Sequence, residues 1–184
     1  MRSKITNYNK INPTSPDKVK GQFVKYRKGD CLSIDYGDGK YLAAFISEKY
    51  NKYYDFTLIE YLLERKPTAR EFEEGRFFGN YVYGPDGLYV TSERAMIPCL
   101  DTDAEERVEK VGTLNLIENL EKGVYFYVKD VTELCEYYRS DISLRIQRTN
   151  NVEKYTRLNQ TGNRLIEIRH ILNQPLTGSS QNSS

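Results

Sequence analysis

A short stretch near residue 30 constrains the fold of this chain more than any other feature of its sequence. In residues 31–36, apolar and polar side chains alternate, and this period of two is typical of a half-buried β-strand. Residues 37–39, Gly-Asp-Gly, tolerate a positive φ, and residues 41–46 form a second apolar run. Two apolar runs joined by such a turn predict a β-hairpin.

Strand patterns separated by turn residues continue through the next part of the chain. Five more stretches predict strands: residues 53–61, 76–83, 88–91, 111–117 and 124–128. Residues 84–87, Gly-Pro-Asp-Gly, predict the turn between the second and the third of these, and residues 121–123 the turn between the last two. Thr68 and Glu71 have the spacing of a helix capping box, so a short helical turn that stops at Gly75 is also expected.

After residue 130 the spacing of apolar residues changes from two to three or four, which is typical of a helix. The apolar stripe consists of Val131, Leu134, Cys135, Tyr138, Ile142 and Ile146. Asp130 stands at the N-cap position, with Glu133 three residues on, and we expect the helix to end near residue 149. Residues 165–172 fit either a helix or a strand, and a helix is favoured.

These patterns predict an α+β fold, in the form of a β-rich antiparallel sheet or a small SH3-like barrel with one or two C-terminal helices. The length of 184 residues suits one domain, which we place at residues 23–174. Residues 1–22, rich in Asn, Lys, Ser and Pro, are expected to be a flexible lead. Residues 175–184, rich in Ser and Gly, are expected to be a disordered tail.

The sequence carries no signal of a membrane, secreted or metal-dependent protein. It has no run of about 18 apolar residues, and its first residues lack the apolar core of a secretory signal. Cys31, Cys99 and Cys135 are widely spaced without a CxxC pair, which fits neither a disulfide framework nor a zinc site. We therefore expect a cytoplasmic protein without a metal or cofactor.

Catalysis by proton transfer or nucleophilic attack needs a tuned pair of groups, and the sequence offers few. His170 is the only histidine, and it lies in the ambiguous last element. Cys31 and Cys135 occupy positions where small buried apolar side chains belong. Two acidic clusters, in residues 71–74 and 101–106, are typical of solvated charged faces. We therefore expect a binding protein and not an enzyme.

The aromatic content is unusual, with 16 tyrosines, 7 phenylalanines and no tryptophan. The aromatic side chains cluster in residues 50–54, 77–83 and 125–127. Tyrosine is favoured at interfaces because it combines a large rigid face with one polar group, although aromatic residues are also favoured in strands for structural reasons. Adjacent strand side chains face opposite sides, so one member of each of the pairs Tyr53–Tyr54 and Phe77–Phe78 is expected to point away from the core.

Residues 25–34, Lys-Tyr-Arg-Lys-Gly-Asp-Cys-Leu-Ser-Ile, and residues 38–46, Asp-Gly-Lys-Tyr-Leu-Ala-Ala-Phe-Ile, place a basic-Gly-Asp lead before a strand, a short glycine-containing turn and a second strand. This arrangement resembles the opening of a mostly-β family of bacterial immunity proteins, which accompany the toxins of contact-dependent and other polymorphic toxin systems. The resemblance covers about the first half of the chain. It implies stoichiometric neutralisation of a cognate toxin through aromatic anchors and a charged rim, without catalytic residues.

The resemblance also implies the chemistry of the partner, a cognate toxin protein. Many such toxins are nucleases with basic clefts, so acidic groups of this chain are expected to cover such a cleft while aromatic residues anchor the contact. The residues expected to bind the partner are Tyr53, Tyr54, Glu71, Glu73, Glu74, Phe78, Tyr81, Asp101, Asp103, Glu105 and Glu106. Contact with a membrane is not expected.

Two other functions remain open. A small nucleic-acid-binding barrel would use Tyr and Phe for base stacking and a local basic face for phosphate contacts. That face would consist of Lys18, Lys20, Lys25, Arg27 and Lys28. The net charge of +1 argues against nucleic acid as a partner. An enzyme that works through its carboxylates ranks third.

Overall fold

A computed structural model of the chain describes residues 26–50, 52–98, 106–149 and 163–173. The strands in these residues are β1 (Asp30–Gly37), β2 (Lys40–Tyr50), β3 (Tyr53–Leu63), β4 (Arg76–Gly84), β5 (Gly87–Pro98), β6 (Val108–Thr113), β7 (Leu120–Tyr127) and β8 (Arg164–Glu167). The helices are α1 (Ala69–Glu74), α2 (residues 131–149, with a π-helical turn at Tyr138–Ile142) and a 3-10 turn at Ile168–Ile171. The predicted leading segment 1–22 and tail 175–184 lie outside the described residues.

The predicted hairpin is confirmed as β1 and β2. The strands pair antiparallel, with Ser33 opposite Ala43 and Ile34 opposite Leu42. The turn takes positive φ at all three of its residues, namely 101° at Gly37, 54° at Asp38 and 72° at Gly39. Glycine and aspartate tolerate this backbone better than other residue types, so the hairpin follows directly from the sequence.

The strands form one β-rich sheet in the order β6-β1-β2-β3-β4-β5-β7, with β8 paired to β4. The α+β prediction is confirmed, in the form of an open sheet and not a barrel, since β6 and β7 lie at its two ends. Every pairing is antiparallel except that of β7 with β5, which is parallel. The sheet is therefore mixed, and the purely antiparallel expectation is corrected at this strand.

The predicted pairing of residues 111–117 with residues 124–128 is wrong. Instead, β6 pairs with β1, and β7 pairs with β5. Residues 121–123, the predicted turn, lie inside β7, where Glu121 pairs with Thr91 and Lys122 with Ser92 before the register shifts. Because β5 runs on to Pro98, well beyond the predicted end at residue 91, it offers β7 a full-length partner.

Both faces of the central part of the sheet are buried, which the alternating pattern of the strands does not predict. Helix α2 covers one face, where it packs on residues such as Leu32, Ile34 and Phe56. Helix α1, the 3-10 turn and Leu114 cover the other face around Phe45. Because covered faces need apolar residues on both sides of a strand, the adjacent Phe77 and Phe78 are both buried, and the expectation that one of them points outward is wrong.

The helix predicted after residue 130 is confirmed as α2. Asp130 Oδ1 accepts a hydrogen bond from the Glu133 N–H at 2.8 Å, and the Glu133 carboxylate accepts from the Lys129 N–H at 2.6 Å. The first contact satisfies an N–H group that the first helical turn leaves without a partner, and the second links the helix to the residue before its N-cap. The stripe members Leu134 and Tyr138 are buried against the sheet.

The helix favoured for residues 165–172 is wrong, since this segment contains β8 and the 3-10 turn. Strand β3 pairs with β5 through residues 53–56 and then with β4 only between Ile59 and Phe77. The β4 edge is thus free for β8, which sets Ile166 opposite Phe77. None of the described helices has the length and apolarity needed to cross a membrane.

Candidate functional site

Two aromatic residues of the predicted binding surface are buried in the structure. Tyr54 is fully buried and Phe78 is 3% exposed. The Tyr54 hydroxyl accepts a hydrogen bond from the Tyr26 N–H at 3.1 Å, and the Arg145 guanidinium lies 4.2 Å from the centroid of the Phe78 ring. Both side chains belong to the core because α2 covers their face of the sheet, so neither can contact a partner.

The predicted acidic cluster of α1 does not form one solvated face. Glu71 is buried, and its Oε2 accepts hydrogen bonds from the Thr68 N–H at 2.7 Å and the Thr68 hydroxyl at 2.8 Å, as the capping box predicts. Glu74 forms an ion pair with Arg70 at 2.8 Å. Glu73 is exposed. The helix therefore offers little free negative charge to a basic partner.

The buried cap makes Glu71 the source of a pH-dependent contribution to stability. The hydrogen bond from Arg65 and those from Thr68 lower the pKa of this carboxyl from 4.5 to about 2, against the opposing effect of burial. A carboxyl whose pKa is lower in the folded state than in the unfolded state stabilises the fold at pH values above the unfolded-state pKa. This stabilisation is lost as the pH falls toward 2. We expect Glu71→Gln to lower the free energy of unfolding by about 1–2 kcal/mol at pH 7 and by almost nothing near pH 2. The loss at pH 7 is limited because Arg65 is exposed and water screens its ion pair with Glu71.

Urea unfolding at pH 7, 4 and 2 measures this effect. Glu73→Gln is the matched control, because Glu73 lies on the same short helix but is exposed. A Glu71→Gln deficit that persists unchanged at pH 2 would contradict the assignment.

The other predicted site residues do not join a common surface. Tyr81 is half-buried, and its hydroxyl lies 2.6 Å from Nδ1 of His170. The Arg164 guanidinium lies 5.4 Å from the Tyr81 ring, so Tyr81 ties β4 to β8 and the 3-10 turn. Glu106 is exposed. The remaining acidic candidates lie outside the described residues: Asp101, Asp103 and Glu105.

A surface that overlaps only in part with the predicted binding residues lies at the β7 end of the sheet. We call it the tyrosine patch, and it consists of Tyr50, Tyr53, Tyr125, Tyr127 and Lys122. Lys122 Nζ lies 4.6 Å from the centroid of the Tyr50 ring and 4.9 Å from that of Tyr125. The rings of Tyr53 and Tyr127 meet edge to face at 5.7 Å. The patch combines two cation–π contacts with one aromatic pair.

The strands themselves place these tyrosines together. Tyr50 and Tyr53 are opposite each other across the β2–β3 turn. Tyr125 and Tyr127 alternate along β7 with Phe126, which packs on Tyr137 of α2. Because successive strand side chains face opposite sides, both β7 tyrosines face away from α2. Their exposures are 58% and 54%, and that of Tyr50 is 42%.

A buried ion pair supports the patch from below. Asp55 and Arg94 are 0% and 2% exposed, and Asp55 Oδ2 lies 3.3 Å from Arg94 Nη1. Arg94 also donates to the Ser92 hydroxyl at 2.8 Å and to the Leu120 carbonyl at 2.9 Å. Lys122 Nζ lies 3.8 Å from Asp55 Oδ2. The lysine between the two rings is thus held by a charge fixed inside the sheet.

Two kinds of reactive site are missing from the described residues, namely a metal-binding cluster and an activated thiol. No cluster of three or more His, Cys, Asp or Glu among them could hold a metal. Burial raises the pKa of Cys31 to about 12 and also raises that of Cys135, so both thiols stay protonated and unreactive. The cavity beside Glu93 is about 10 Å³, which is room for one water at most. The hydrogen bond to Tyr53 raises the pKa of Tyr127, so this patch tyrosine stays neutral.

Comparison of the chain with protein-family models, with curated proteins and with solved structures found no significant match. The resemblance of residues 25–46 to immunity proteins therefore stays a prediction.

Proposed function

We propose that this protein binds and stoichiometrically neutralises a cognate bacterial toxin, and that it contacts the toxin through the tyrosine patch. The observation that carries the proposal is the exposure of three tyrosines around Lys122 at the edge of the sheet. Tyrosine and tryptophan dominate the binding energy of protein interfaces, since they bring large rigid contact areas at a low cost in side-chain entropy.

The contacts that hold the tyrosine patch in place favour a binding protein over an enzyme. The Asp55–Arg94 pair and the ring contacts hold the tyrosines in one arrangement before a partner arrives, and a preorganised surface loses less entropy on binding. The resemblance of residues 25–46 to immunity proteins supports a toxin as the partner. This function places the protein in the cytoplasm and needs no catalytic residue, metal or cofactor.

The test is affinity capture from the cells of origin, followed by expression of the captured protein alone. We expect a stoichiometric protein partner that arrests growth when expressed alone and no longer does so when this chain is co-expressed. The double variant Tyr125→Ser/Tyr127→Ser is expected to lose protection, because two anchor tyrosines are together worth about 4 kcal/mol, or about 1,000-fold in affinity.

The matched control is Tyr83→Ser, since Tyr83 is 85% exposed on the β4–β5 hairpin and outside the patch. It is expected to protect as the unchanged chain does. A captured partner that is harmless would contradict the toxin assignment. Retention of polynucleotide that is released as salt rises would favour the nucleic-acid alternative, since phosphate contacts depend steeply on salt.

A further inference from the structure

We propose that β7 accepts an extended, carboxylate-bearing segment of the partner as an added β-strand, with the tyrosine patch contacting its side chains. This inference rests on the proposed function for the identity of the partner and concerns how the same surface binds. Strand addition of this kind combines main-chain hydrogen bonds with side-chain contacts at alternate positions.

Strand β7 has an open edge. It runs for eight residues and pairs with β5 alone, and none of the described residues pairs with its other side. The N–H and C=O groups on that side are available to another strand. Gly123 and Val124 of β7 stand opposite the single residue Glu93 of β5, because the register shifts between Ser92 and Arg94.

The strands at the two ends of the sheet, β6 and β7, are protected to different degrees. Proteins block open edges with charged residues, prolines or covering segments. The other edge strand, β6, carries Glu109 and Lys110, which form ion pairs with Lys66 and with Asp30. Residues 123–127 of β7, Gly-Val-Tyr-Phe-Tyr, contain neither a charge nor a proline. This contrast selects β7 as the edge that is open for pairing.

The charge around the patch selects an acidic partner. Arg94 and Lys122 share the single carboxylate of the buried Asp55, so these three side chains together carry a net positive charge. Lys52 and Lys129 are exposed next to Tyr53 and close to Tyr127 in the sequence, and neither ammonium group forms an ion pair with a described carboxylate. The nearby carboxylates are Glu121, which is exposed, and Glu133, which caps α2.

The probes for the test are two capped nine-residue peptides, one alternating Thr and Glu and the other alternating Thr and Lys. Amide chemical shifts of the full-length, ¹⁵N-labelled chain are followed during titration to millimolar peptide. We expect the Glu peptide to shift the β7 amides and to bind at least about 10-fold more tightly than the Lys peptide, because like charges across an interface are unfavourable. An oligothymidylate of eight nucleotides is titrated in parallel.

The backbone contribution is tested by amide hydrogen exchange of the unchanged chain. The Val128 N–H donates to the Met96 carbonyl of β5, and the backbone groups of successive strand residues point to opposite sides, so the N–H groups of Tyr125 and Tyr127 face the open edge. We expect these two amides to exchange more slowly when the Glu peptide is bound, and unchanged exchange at both would contradict strand addition.

Shifts centred on another strand, equal affinity for both peptides, no shift at all, or stronger β7 shifts with the oligothymidylate would each overturn the inference. Its failure is distinguishable from that of the proposed function. If a toxin is captured but the Glu peptide does not bind to β7, only the inference of strand addition fails. If the Glu peptide binds to β7 but no captured protein is toxic, only the proposed function fails.

Discussion

Replacing Arg94 with methionine is expected to lower the free energy of unfolding by about 3–5 kcal/mol. The Asp55 carboxylate is fully buried, and its Oδ1 already has no hydrogen-bond partner among the described residues. Without Arg94, the remaining positive charge is that of Lys122, 3.8 Å away and partly exposed. A buried carboxylate with so little compensation is costly.

Urea unfolding followed by far-ultraviolet circular dichroism measures the loss. The double variant Asp55→Leu/Arg94→Met is expected to recover most of it, because removing both charges also removes the desolvation penalty. A double variant that loses as much as the two single variants combined would contradict the interpretation that the cost comes from an uncompensated buried charge.

Replacing Glu93 with leucine is expected to lower the free energy of unfolding by about 3–5 kcal/mol. The Glu93 carboxylate accepts hydrogen bonds from Arg145 Nη1 at 2.9 Å and from Asn163 Nδ2 at 3.0 Å, and also from the Tyr137 hydroxyl. This one side chain joins β5 to α2 and to the residue that precedes β8. Burial and the neighbouring Glu93 carboxylate both raise the pKa of Tyr137, which keeps its hydroxyl a donor.

The same unfolding experiment measures this loss, and amide hydrogen exchange locates it. We expect faster exchange in α2 and β8, since both lose their polar link to the sheet. Glu121→Leu is the matched control: Glu121 is an exposed glutamate on β7, and its change is expected to cost less than about 0.5 kcal/mol. Equal losses of unfolding free energy in the two variants would show that the hydrogen bonds of Glu93 do not stabilise the contact of β5 with α2 and with the residue before β8.

The sequence predicts those parts of the fold that depend on local chemistry. Alternation and a Gly-Asp-Gly turn are sufficient for the β1–β2 hairpin, and an N-cap with a stripe of three- and four-residue spacing is sufficient for α2. Each of these patterns involves residues close together in the chain, so no knowledge of distant partners is needed.

Distant partners decide the parts that were predicted wrongly. Nothing local indicates that β7 pairs parallel with β5, or that β8 fills the edge that β4 leaves open. Covering both faces of the sheet also changes the meaning of adjacent aromatic residues. Phe78 is buried because α2 covers its face, while Phe77 is buried because α1 and the 3-10 turn cover the other.

The candidate site was predicted in part, for the same reason. Tyr53 was expected at the surface and lies in the tyrosine patch, whereas Lys122 and Tyr50 were not expected there. The alternation of Tyr125 and Tyr127 around Phe126 was a local signal for an exposed aromatic face. Which strand lies beside β7, and hence which residues complete the patch, depends on long-range pairing.

Calorimetric titration of the captured partner into this chain and its variants tests the role of the tyrosine patch most directly. We expect one-to-one binding that is at least about 100-fold weaker for Tyr125→Ser/Tyr127→Ser and unchanged for Tyr83→Ser. Full affinity in the double variant, with loss of affinity on changing Tyr83, would show that the partner binds elsewhere and would contradict the assignment of the tyrosine patch.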